Sequence, residues 1–307
     1  MPSVSVIMST YKEKEKFLRE AIESILNQSF QDFEFIIILD NPDNALHISI
    51  IEEYALKDKR IRFYKNETNL GLTQSLNIGL SLAKGKYICR MDADDISENN
   101  RIELQKYYLE ENNFDLIGGI TQIIDENNAP IYSIKKVPVK IKKIKKCIKY
   151  NQVIAHPTWF GKKDMFETLN GYREMPLCED YDFTLRAILS GYSVSNINKQ
   201  ILKYRMTASS ISRNNLFEQY LYAKYITKQY TNNKMSEIND AKKYVNKHYS
   251  AAAAKNYLKA NKLFNDCLNN LEEKNYIKLL VNGICLLFAS KNYLNKIYRL
   301  IMVTLYS

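Results

Sequence analysis

Apolar residues in the first 125 positions form two kinds of run along the chain. Some runs are short and continuous, such as Val4–Met8 and Phe33–Leu39, which is typical of buried strands. From Phe17 to Leu26, apolar side chains instead recur every three or four positions, which is helical spacing. The same reasoning predicts further strands at Ile61–Tyr64, Tyr87–Met91 and Leu116–Thr121 and further helices at about 48–56, 72–83 and 98–111.

Strands that alternate with helices of this length build βαβ units, in which neighbouring strands are mostly parallel. Continuous apolar strands also fit a sheet that is covered on both faces. The first part of the chain is therefore predicted to be an α/β fold with a mostly parallel, Rossmann-like sheet.

Polar residues follow three of these strands at the point where each strand ends. They are Ser9–Tyr11, Asp40–Asn41 and Asp92–Asp95. In open α/β sheets, ligands bind beyond the carboxyl ends of the strands. The three polar segments are therefore expected to line one crevice.

The character of the chain changes after residue 205. Residues 206–307 contain one glycine, no proline and 11 of the 23 tyrosines, and helix-forming residues dominate. We predict helices there at about 214–231, 236–265 and 270–305. The expected organisation is a catalytic domain at 1–205, with halves at about 1–125 and 126–205, followed by a basic helical region at 206–307.

Charge is unevenly distributed. The formal net charge is +10, yet residues 1–130 hold 14 basic and 22 acidic side chains. Residues 131–150 hold eight lysines and no acidic residue, and residues 206–307 hold 15 basic and 6 acidic residues. A basic surplus of this kind suits an anionic membrane, an anionic substrate or nucleic acid.

Cysteine usage and apolar run lengths bear on the compartment. The five cysteines are odd in number and lack CxxC spacing, which argues against a zinc site or a disulfide framework. No signal peptide is recognisable at Met1–Val4, and the apolar run Leu279–Ala289 is shorter than a membrane span. We expect a cytoplasmic protein.

Three carboxylates, Asp92, Asp94 and Asp95, directly follow a predicted buried strand. Crowded carboxylates repel each other unless a cation neutralises them. Mg²⁺ typically binds one or two carboxylates together with substrate phosphates. The alternative role, capping of a helix N-terminus, suits Asp95 best.

Four stretches resemble a known family in this order: the first strand with Ser9–Tyr11; Asn69–Leu72 with Asn77–Leu80; Gly85–Ile88 leading into Met91–Asp95; and Gly171–Tyr172 followed by Glu179–Asp182. The chain resembles family 2 glycosyltransferases with a GT-A fold, of the bacterial surface-polysaccharide assembly type. The resemblance covers residues 3 to about 205. It implies inverting transfer of a hexose or N-acetylhexosamine from a UDP-sugar.

The resemblance also implies roles for individual residues. Thr10 and Asp40 would hold the base, Asp92 would contact the ribose or the metal shell, and Asp94 would bind Mn²⁺ or Mg²⁺. The sequence Leu39–Pro42 contains only Asp40 where the family usually has two aspartates. The full predicted nucleotide-sugar set is Ser9, Thr10, Tyr11, Asp40, Asn69, Gly71 and Asp92.

A second acidic centre lies at Glu179–Asp182. Inverting transfer needs a base that removes the proton of the acceptor hydroxyl. The resemblance gives this role to Asp180 and an acceptor-binding role to Glu179 and His156. Asp182 suits a structural role. Arg205 with Ser209–Ser212 could form a loop over the diphosphate or an ordinary polar surface loop.

The basic segments suggest partners beyond the donor. Residues 137–150 are predicted to form a basic amphipathic helix, and the tail repeats the pattern with tyrosines, leucines and lysines. Such helices bind anionic membrane surfaces, or they pack on the catalytic domain or in a homodimer. A polyprenyl-diphosphate-linked or other glycan acceptor at the inner face of the cytoplasmic membrane would fit peripheral binding.

Two other functions account for part of the sequence. A sugar nucleotidyltransferase also uses carboxylate-bound Mg²⁺, but it would carry a glycine-rich phosphate loop after the first strand, where Ser9–Glu13 stands. A basic adaptor for nucleic acid would explain the net charge but neither acidic centre. We therefore expect no nucleic-acid partner.

Overall fold

A computed structural model describes residues 1–207 and 215–307 of the chain. All five strands and four helices predicted in residues 1–125 are present. The strands in the described residues are β1 (Val4–Thr10), β2 (Phe33–Leu39), β3 (Ile61–Lys65), β4 (Tyr87–Asp92), β5 (Ile96–Ser97), β6 (Leu116–Ile124), β7 (Pro130–Ser133), β8 (Phe160–Lys162) and β9 (Val194–Arg205).

Helices cover the sheet and form the C-terminal region. In the described residues they are α1 (Glu15–Leu26), α2 (Ala45–Lys57), α3 (Leu72–Leu82), α4 (Arg101–Glu111), α5 (Ile141–Cys147), α6 (Lys163–Thr168), α7 (Glu179–Leu189), α8 (Leu216–Thr231), α9 (Ile238–His248), α10 (Ala251–Glu272), α11 (Tyr276–Ala289) and α12 (Lys291–Tyr306). A 3₁₀ turn, His156–Thr158, precedes β8.

The sheet has the strand order β3-β2-β1-β4-β8-β6-β9-β5, and β7 pairs with β6. The four strands from β3 to β4 are all parallel, and antiparallel pairings are confined to β5, β7 and β8. The chain moves outward from β1 to β3 and then returns to β4 on the other side of β1. Strand order reverses there, which is where such sheets bind ligands. The predicted α/β class with a mostly parallel sheet is confirmed.

Strand β2 explains why a continuous apolar run is needed at the centre of this sheet. All seven of its residues are buried, and α1 packs Leu18, Ile22 and Ile25 into the same core. Burying each such side chain contributes about 1.5–3 kcal/mol. The core therefore fixes the strand ends that carry the polar residues.

The chain divides into two compact units. The described residues of the first unit are 1–145, 152–174 and 179–207, and those of the second are 146–151, 175–178 and 215–307. The second unit, here called the helical unit, thus includes two short segments from the earlier part of the sequence.

Helix boundaries in the helical unit differ from those predicted. The helix expected at 236–265 stops at His248, and the helix expected at 270–305 stops at Ala289. Each new helix starts with a serine cap: the Ser250 hydroxyl accepts a hydrogen bond from the Ala253 N–H, and Ser290 accepts one from Tyr293. Serine satisfies the free N–H groups of a helix start.

The basic insert also differs from expectation. Only Ile141–Cys147 is helical, and the side chains of Ile144 and Ile148 are fully buried. The predicted amphipathic helix at 137–150 therefore has no apolar face left for a membrane. Its lysines remain on the surface.

Candidate active site

At the end of β1, Thr10 is tied into a small polar cluster. Its hydroxyl donates to Glu13 Oε2 (2.5 Å) and lies 3.1 Å from His47 Nδ1, and the Tyr11 N–H donates to the same Glu13 oxygen (2.8 Å). Thr10 is buried, whereas the Tyr11 ring is 38% exposed. Ser9 is paired with Asp92 across the sheet. The end of β1 is therefore held rigid, with Tyr11 free to contact a ligand.

At the end of β2, Asp40 organises the loop that precedes α3. Its Oδ1 accepts hydrogen bonds from the Asn66 side chain and the Leu70 N–H, and its Oδ2 accepts one from the Gly71 N–H, each at 2.8 Å. Gly71 has a φ of +83°, which favours glycine. The Asn69 side chain also accepts from the Gly71 N–H. Asp40 thus positions Asn69 and Gly71; its contact with a base stays a prediction.

At the end of β4, a buried arginine lies beside the first aspartate of the acidic group. Arg90 Nη1 forms an ion pair with Asp92 Oδ1. Arg90 Nε is buried and has no hydrogen-bond partner within the described residues. Sequence reasoning missed Arg90 because it lies inside the apolar run Tyr87–Met91 and carries no motif of its own.

Asp94 lies in the same crevice without an ion-pair partner among the residues that the structure describes. Burial, together with the negative charges of Asp92 and Glu13, raises the pKa of Asp94 to about 7. A carboxylate in this setting favours a bound proton or a cation.

Asp95 does not cap a helix, contrary to the alternative considered for it. Helix α4 begins only at Arg101, after the short strand β5. Asp95 is fully buried, and its Oδ1 accepts a hydrogen bond from the backbone N–H of Arg205 on β9. Burial raises its pKa well above the usual range. Its role is to join β4 to β9.

The second acidic centre lies at the start of α7. Burial, together with the charge of Asp180, raises the pKa of Glu179 to about 7. Burial also raises the pKa of Asp180, whereas a hydrogen bond from Gln152 and the charge of Arg90 act in the opposite direction. Gln152 Nε2 donates to Asp180 Oδ2 (3.4 Å) and to Thr184 Oγ1 (3.0 Å). Nothing in the sequence pattern pointed to Gln152.

His156 is part of a buried aromatic group. Its Nε2 lies 2.9 Å from the Tyr172 hydroxyl, and its ring packs edge-on against Trp159. Burial lowers the pKa of His156 well below its usual range, with Arg90 adding to the effect, so the ring is neutral. The backbone of Tyr172 is held in turn by both ends of the Asn77 amide, at 2.8 Å each. His156 therefore supports Tyr172; contact with an acceptor stays a prediction.

Arg90 relates the two acidic centres. Its charge offsets part of the rise in the pKa values of Asp94, Asp95, Glu179 and Asp180, whereas the charge of Asp92 adds to the rise for Glu179. Both acidic centres therefore lie within electrostatic reach of Arg90. The structure thus brings the ends of β1 and β4 and the start of α7 into one crevice.

Two residues considered at the sequence level lie outside the crevice chemistry. The Asp182 carboxylate is buried between Arg173 and Arg186 and is structural. Arg205 is buried, and its guanidinium donates to Asp94 O (2.7 Å), Asp125 O (3.1 Å), Asn128 Oδ1 (2.5 Å) and Glu20 Oε2 (2.7 Å). It is therefore not available to a diphosphate, contrary to the expected loop. Ser209–Ser212 lie outside the described residues.

The crevice suits a metal that shares its ligands with a substrate. Within the described residues, no three His, Cys, Asp or Glu side chains converge on one point. Asp94 and the free oxygen of Asp92 supply hard carboxylate ligands, and a diphosphate could complete the shell. Two carboxylates of this kind are compatible with Mg²⁺ or Mn²⁺, and metal binding here stays a prediction.

Comparison with known proteins gives a consistent picture. Residues 5–169 match the model of glycosyl transferase family 2. The chain is 44% identical over 206 residues to the uncharacterized glycosyltransferase MJ1057 of Methanocaldococcus jannaschii, covering 67% of this chain and 71% of that protein. It is 32% identical over 212 residues to the O-antigen biosynthesis glycosyltransferase WbnJ of Escherichia coli (68% and 82%). It is 29% identical over 214 residues to the E. coli UDP-Gal:alpha-D-GlcNAc-diphosphoundecaprenol beta-1,3-galactosyltransferase (69% and 77%).

A solved structure shares the fold. TarS 1-349 of S. aureus in complex with UDP-GlcNAc superposes with a TM-score of 0.60 at 20% identity, over 80% of this chain and 70% of that one. This similarity confirms the predicted GT-A architecture.

Proposed function

The chain belongs to glycosyl transferase family 2, and from this premise we propose that it moves one hexose or N-acetylhexosamine from a UDP-sugar to a hydroxyl of a growing surface glycan, with inversion. The observation that carries the proposal is that Arg90, near the carboxyl end of β4, forms an ion pair with Asp92 and acts electrostatically on Glu179 and Asp180. One centre suits the diphosphate of the donor, and the other suits the acceptor hydroxyl.

The donor half of the proposal is supported by the ends of β1, β2 and β4. Tyr11 is exposed beside the rigid Thr10, and Asp40 fixes the Asn69–Gly71 loop. UDP-linked sugars appear in the names of one relative and of the TarS complex. We assign the uridine to the side of β1 and β2 and the diphosphate to Asp92 and Asp94.

The metal part of the proposal concerns Asp94 first and Asp92 second. Asp94 has no ion-pair partner among the described residues, whereas Asp92 shares one oxygen with Arg90. When bound, the cation would stabilise the charge that develops on the departing diphosphate. Asp94 would thereby lose the proton that its raised pKa favours in the free protein.

The acceptor half of the proposal rests on Asp180. The acceptor oxygen attacks the anomeric carbon, its proton passes to the Asp180 carboxylate, and the bond from the anomeric carbon to the diphosphate breaks. Burial raises the pKa of Asp180, which makes it a stronger base than an exposed aspartate. Gln152 orients the carboxylate, and Glu179 is placed to bind the acceptor.

A lipid-linked acceptor is the part of the proposal that the relatives' names support. One relative acts on a diphosphoundecaprenol-linked sugar, and another is named for O-antigen biosynthesis. We extend this to a polyprenyl-diphosphate-linked glycan reached from the cytoplasmic side of the membrane. The family assignment also favours transfer over nucleotidyl transfer.

Asp180→Asn separates chemistry from donor binding. Thermal shifts with UDP-, GDP-, CDP- and TDP-sugars plus Mn²⁺ first identify the donor, since a ligand of the folded state raises Tm. We expect Asp180→Asn to keep the UDP-sugar shift and to lose transfer to a polyprenyl-diphosphate-linked sugar by about 1,000-fold. Asp94→Ala is expected to lose both.

Asp32→Asn is the matched control, because Asp32 is exposed and precedes β2, at the opposite edge of the sheet. It should retain both the shift and the transfer. Wild-type turnover by Asp180→Asn would refute the assignment of the base. A Tm shift with UDP-sugar that EDTA leaves unchanged would refute the proposed role of the metal in donor binding.

A further inference from the structure

Helix α11 carries large apolar side chains on its outward side. Ile277, Leu280, Val281, Ile284, Leu287 and Phe288, here called the α11 face, are between 50% and 86% exposed. Their spacing of three and four residues places all six along one side of the helix. The side chain of Leu286, on the opposite side, is buried. A surface helix normally turns polar residues outward, so α11 presents an unusual second apolar side.

Helix α12 extends the exposed apolar surface of the helical unit. Tyr298, Ile301 and Leu305 are 50%, 52% and 71% exposed. Exposed apolar surface on this scale marks an interaction site in soluble proteins. Two consecutive helices of the same unit therefore share the feature.

Neither helix is long enough to cross a membrane. Helices of 14 and 16 residues span about 21 and 24 Å at 1.5 Å per residue, against about 30 Å of hydrocarbon. In the part of the chain that the structure describes, no single helix qualifies as a span; α11 and α12 have the length and composition of a span only when taken together, and they are bent by 114° where they join. Their geometry suits helices that lie in the plane of an interface.

The charges around these helices have one sign. Residues 274–307 contain Lys274, Lys278, Lys291, Lys296 and Arg299 and no acidic residue. The lysines at 274, 278 and 291 are exposed; Lys278 lies within α11, and the other two flank it. A second copy of the chain would bring two basic surfaces together, whereas an anionic lipid surface complements them.

From these observations we propose that the α11 face docks the protein on an anionic lipid bilayer. The six side chains enter the boundary between headgroups and acyl chains, and Lys274, Lys278 and Lys291 contact the anionic headgroups. Interfacial helices of this composition bury their apolar side about 5–10 Å deep. The inference concerns the helical unit and does not depend on which sugar is transferred.

Vesicle co-sedimentation of the full chain tests the proposal. We expect binding to vesicles with 30% phosphatidylglycerol in phosphatidylcholine, weaker binding to phosphatidylcholine alone, and loss of binding at high salt. Ile277→Gln with Phe288→Gln should weaken binding about tenfold or more. Leu46→Gln with Leu56→Gln is the matched control, because these leucines are 50% and 89% exposed on α2.

A second arm removes charge and leaves the apolar face intact. Replacing Lys274, Lys278 and Lys291 with Gln should weaken binding about fivefold per lysine, the equivalent of about 1 kcal/mol each. The control replaces Lys59, Lys84 and Lys199 with Gln, because these lysines are exposed in the first unit and their removal changes the net charge by the same amount. Circular dichroism melting verifies that each variant is folded.

Three outcomes would overturn the proposal. One is equal binding by wild type and both α11 variants, and another is equal binding to vesicles with and without phosphatidylglycerol. The third is sedimentation of the wild type as a dimer that Phe288→Gln dissociates, without vesicle binding, which would make a second copy the occupant. UDP-sugar thermal shifts should be unchanged in every α11 variant, so failure here is distinct from failure of the transferase proposal.

Discussion

Arg90 is a buried cation whose charge acts on both acidic centres. Its ion pair with Asp92 anchors one side of the crevice, and its charge lowers the pKa of Asp180 on the other. Under the proposed mechanism Asp180 must be ionised to accept the proton. The arginine therefore keeps the base ionised to lower pH than burial alone would allow.

Arg90→Gln should move the acid limb of the kcat/KM profile to higher pH. Removing the positive charge raises the pKa of Asp180, so the ionised base appears only at higher pH. Arg62→Gln is the control, because Arg62 is a partly buried arginine paired with Glu34 on β2. A pH profile identical to wild type in Arg90→Gln would show that Arg90 only holds Asp92.

The sequence predicted the acidic residues of the candidate site but not their neighbours. Asp92, Asp94 and Asp180 stand in motifs next to predicted strand and helix ends, so position and chemistry coincide. Gln152 and Arg90 act on Asp180 from distant points of the chain, and only the fold brings them near it. The structural role of Arg205 could not be predicted either, because the groups that accept its hydrogen bonds belong to distant segments of the chain.

At the scale of elements, β1 and β4 approach each other closely at Gly85. A Cβ atom built on Gly85 would lie 2.5 Å from the Ser5 backbone nitrogen and 2.6 Å from the Val4 carbonyl carbon. The Gly85 N–H also donates to the Ser5 hydroxyl (2.8 Å). The entry to β4, and with it the alignment of Asp92 with Ser9, depends on the missing side chain.

Gly85→Ala should lower the free energy of unfolding by about 3 kcal/mol, because backbone atoms cannot give way to the methyl group. Urea denaturation followed by circular dichroism measures the change. Gly283→Ala on α11 is the comparison: no atom lies within 4 Å of its added Cβ, and alanine favours a helix by about 1 kcal/mol. Equal stability of the two variants would contradict the close approach.

Element prediction succeeded where periodicity is strong and failed where a single cap decides. Strand β2 is a continuous apolar run and was predicted with its correct ends. The break at Ser290 has no glycine or proline to announce it, and the serine side chain alone caps the new helix. The free energy of one such capping bond is small, so the residue composition alone does not show whether a helix stops there or continues.

At the scale of the whole molecule, Arg299 joins three segments of the helical unit. Its Nε donates to the Tyr150 carbonyl (2.7 Å), and Nη1 and Nη2 both lie 3.2 Å from Thr227 Oγ1 on α8. Hydrogen bonds of a charged donor contribute about 1.5–3 kcal/mol. The predicted division near residue 205 gave no sign that residues 146–151 join this unit.

Arg299→Met should therefore destabilise the helical unit selectively. We expect faster hydrogen exchange in residues 146–151, α8 and α12, with β1–β4 unchanged, because local stability follows local contacts. Lys247→Met, an exposed position on α9, should leave exchange unaltered. Uniform loss of protection across both units would mean that the molecule unfolds as one body.

The contact between Tyr150 and Arg299 has a consequence for how the chain is made. The two residues are 149 positions apart, and Tyr150 also stacks on Tyr306. At 5–20 residues per second, translation reaches Arg299 about 7–30 s after Tyr150. During that interval the nascent chain carries Tyr150 without its partners. A chain truncated before residue 299 would lack both of these partners of Tyr150.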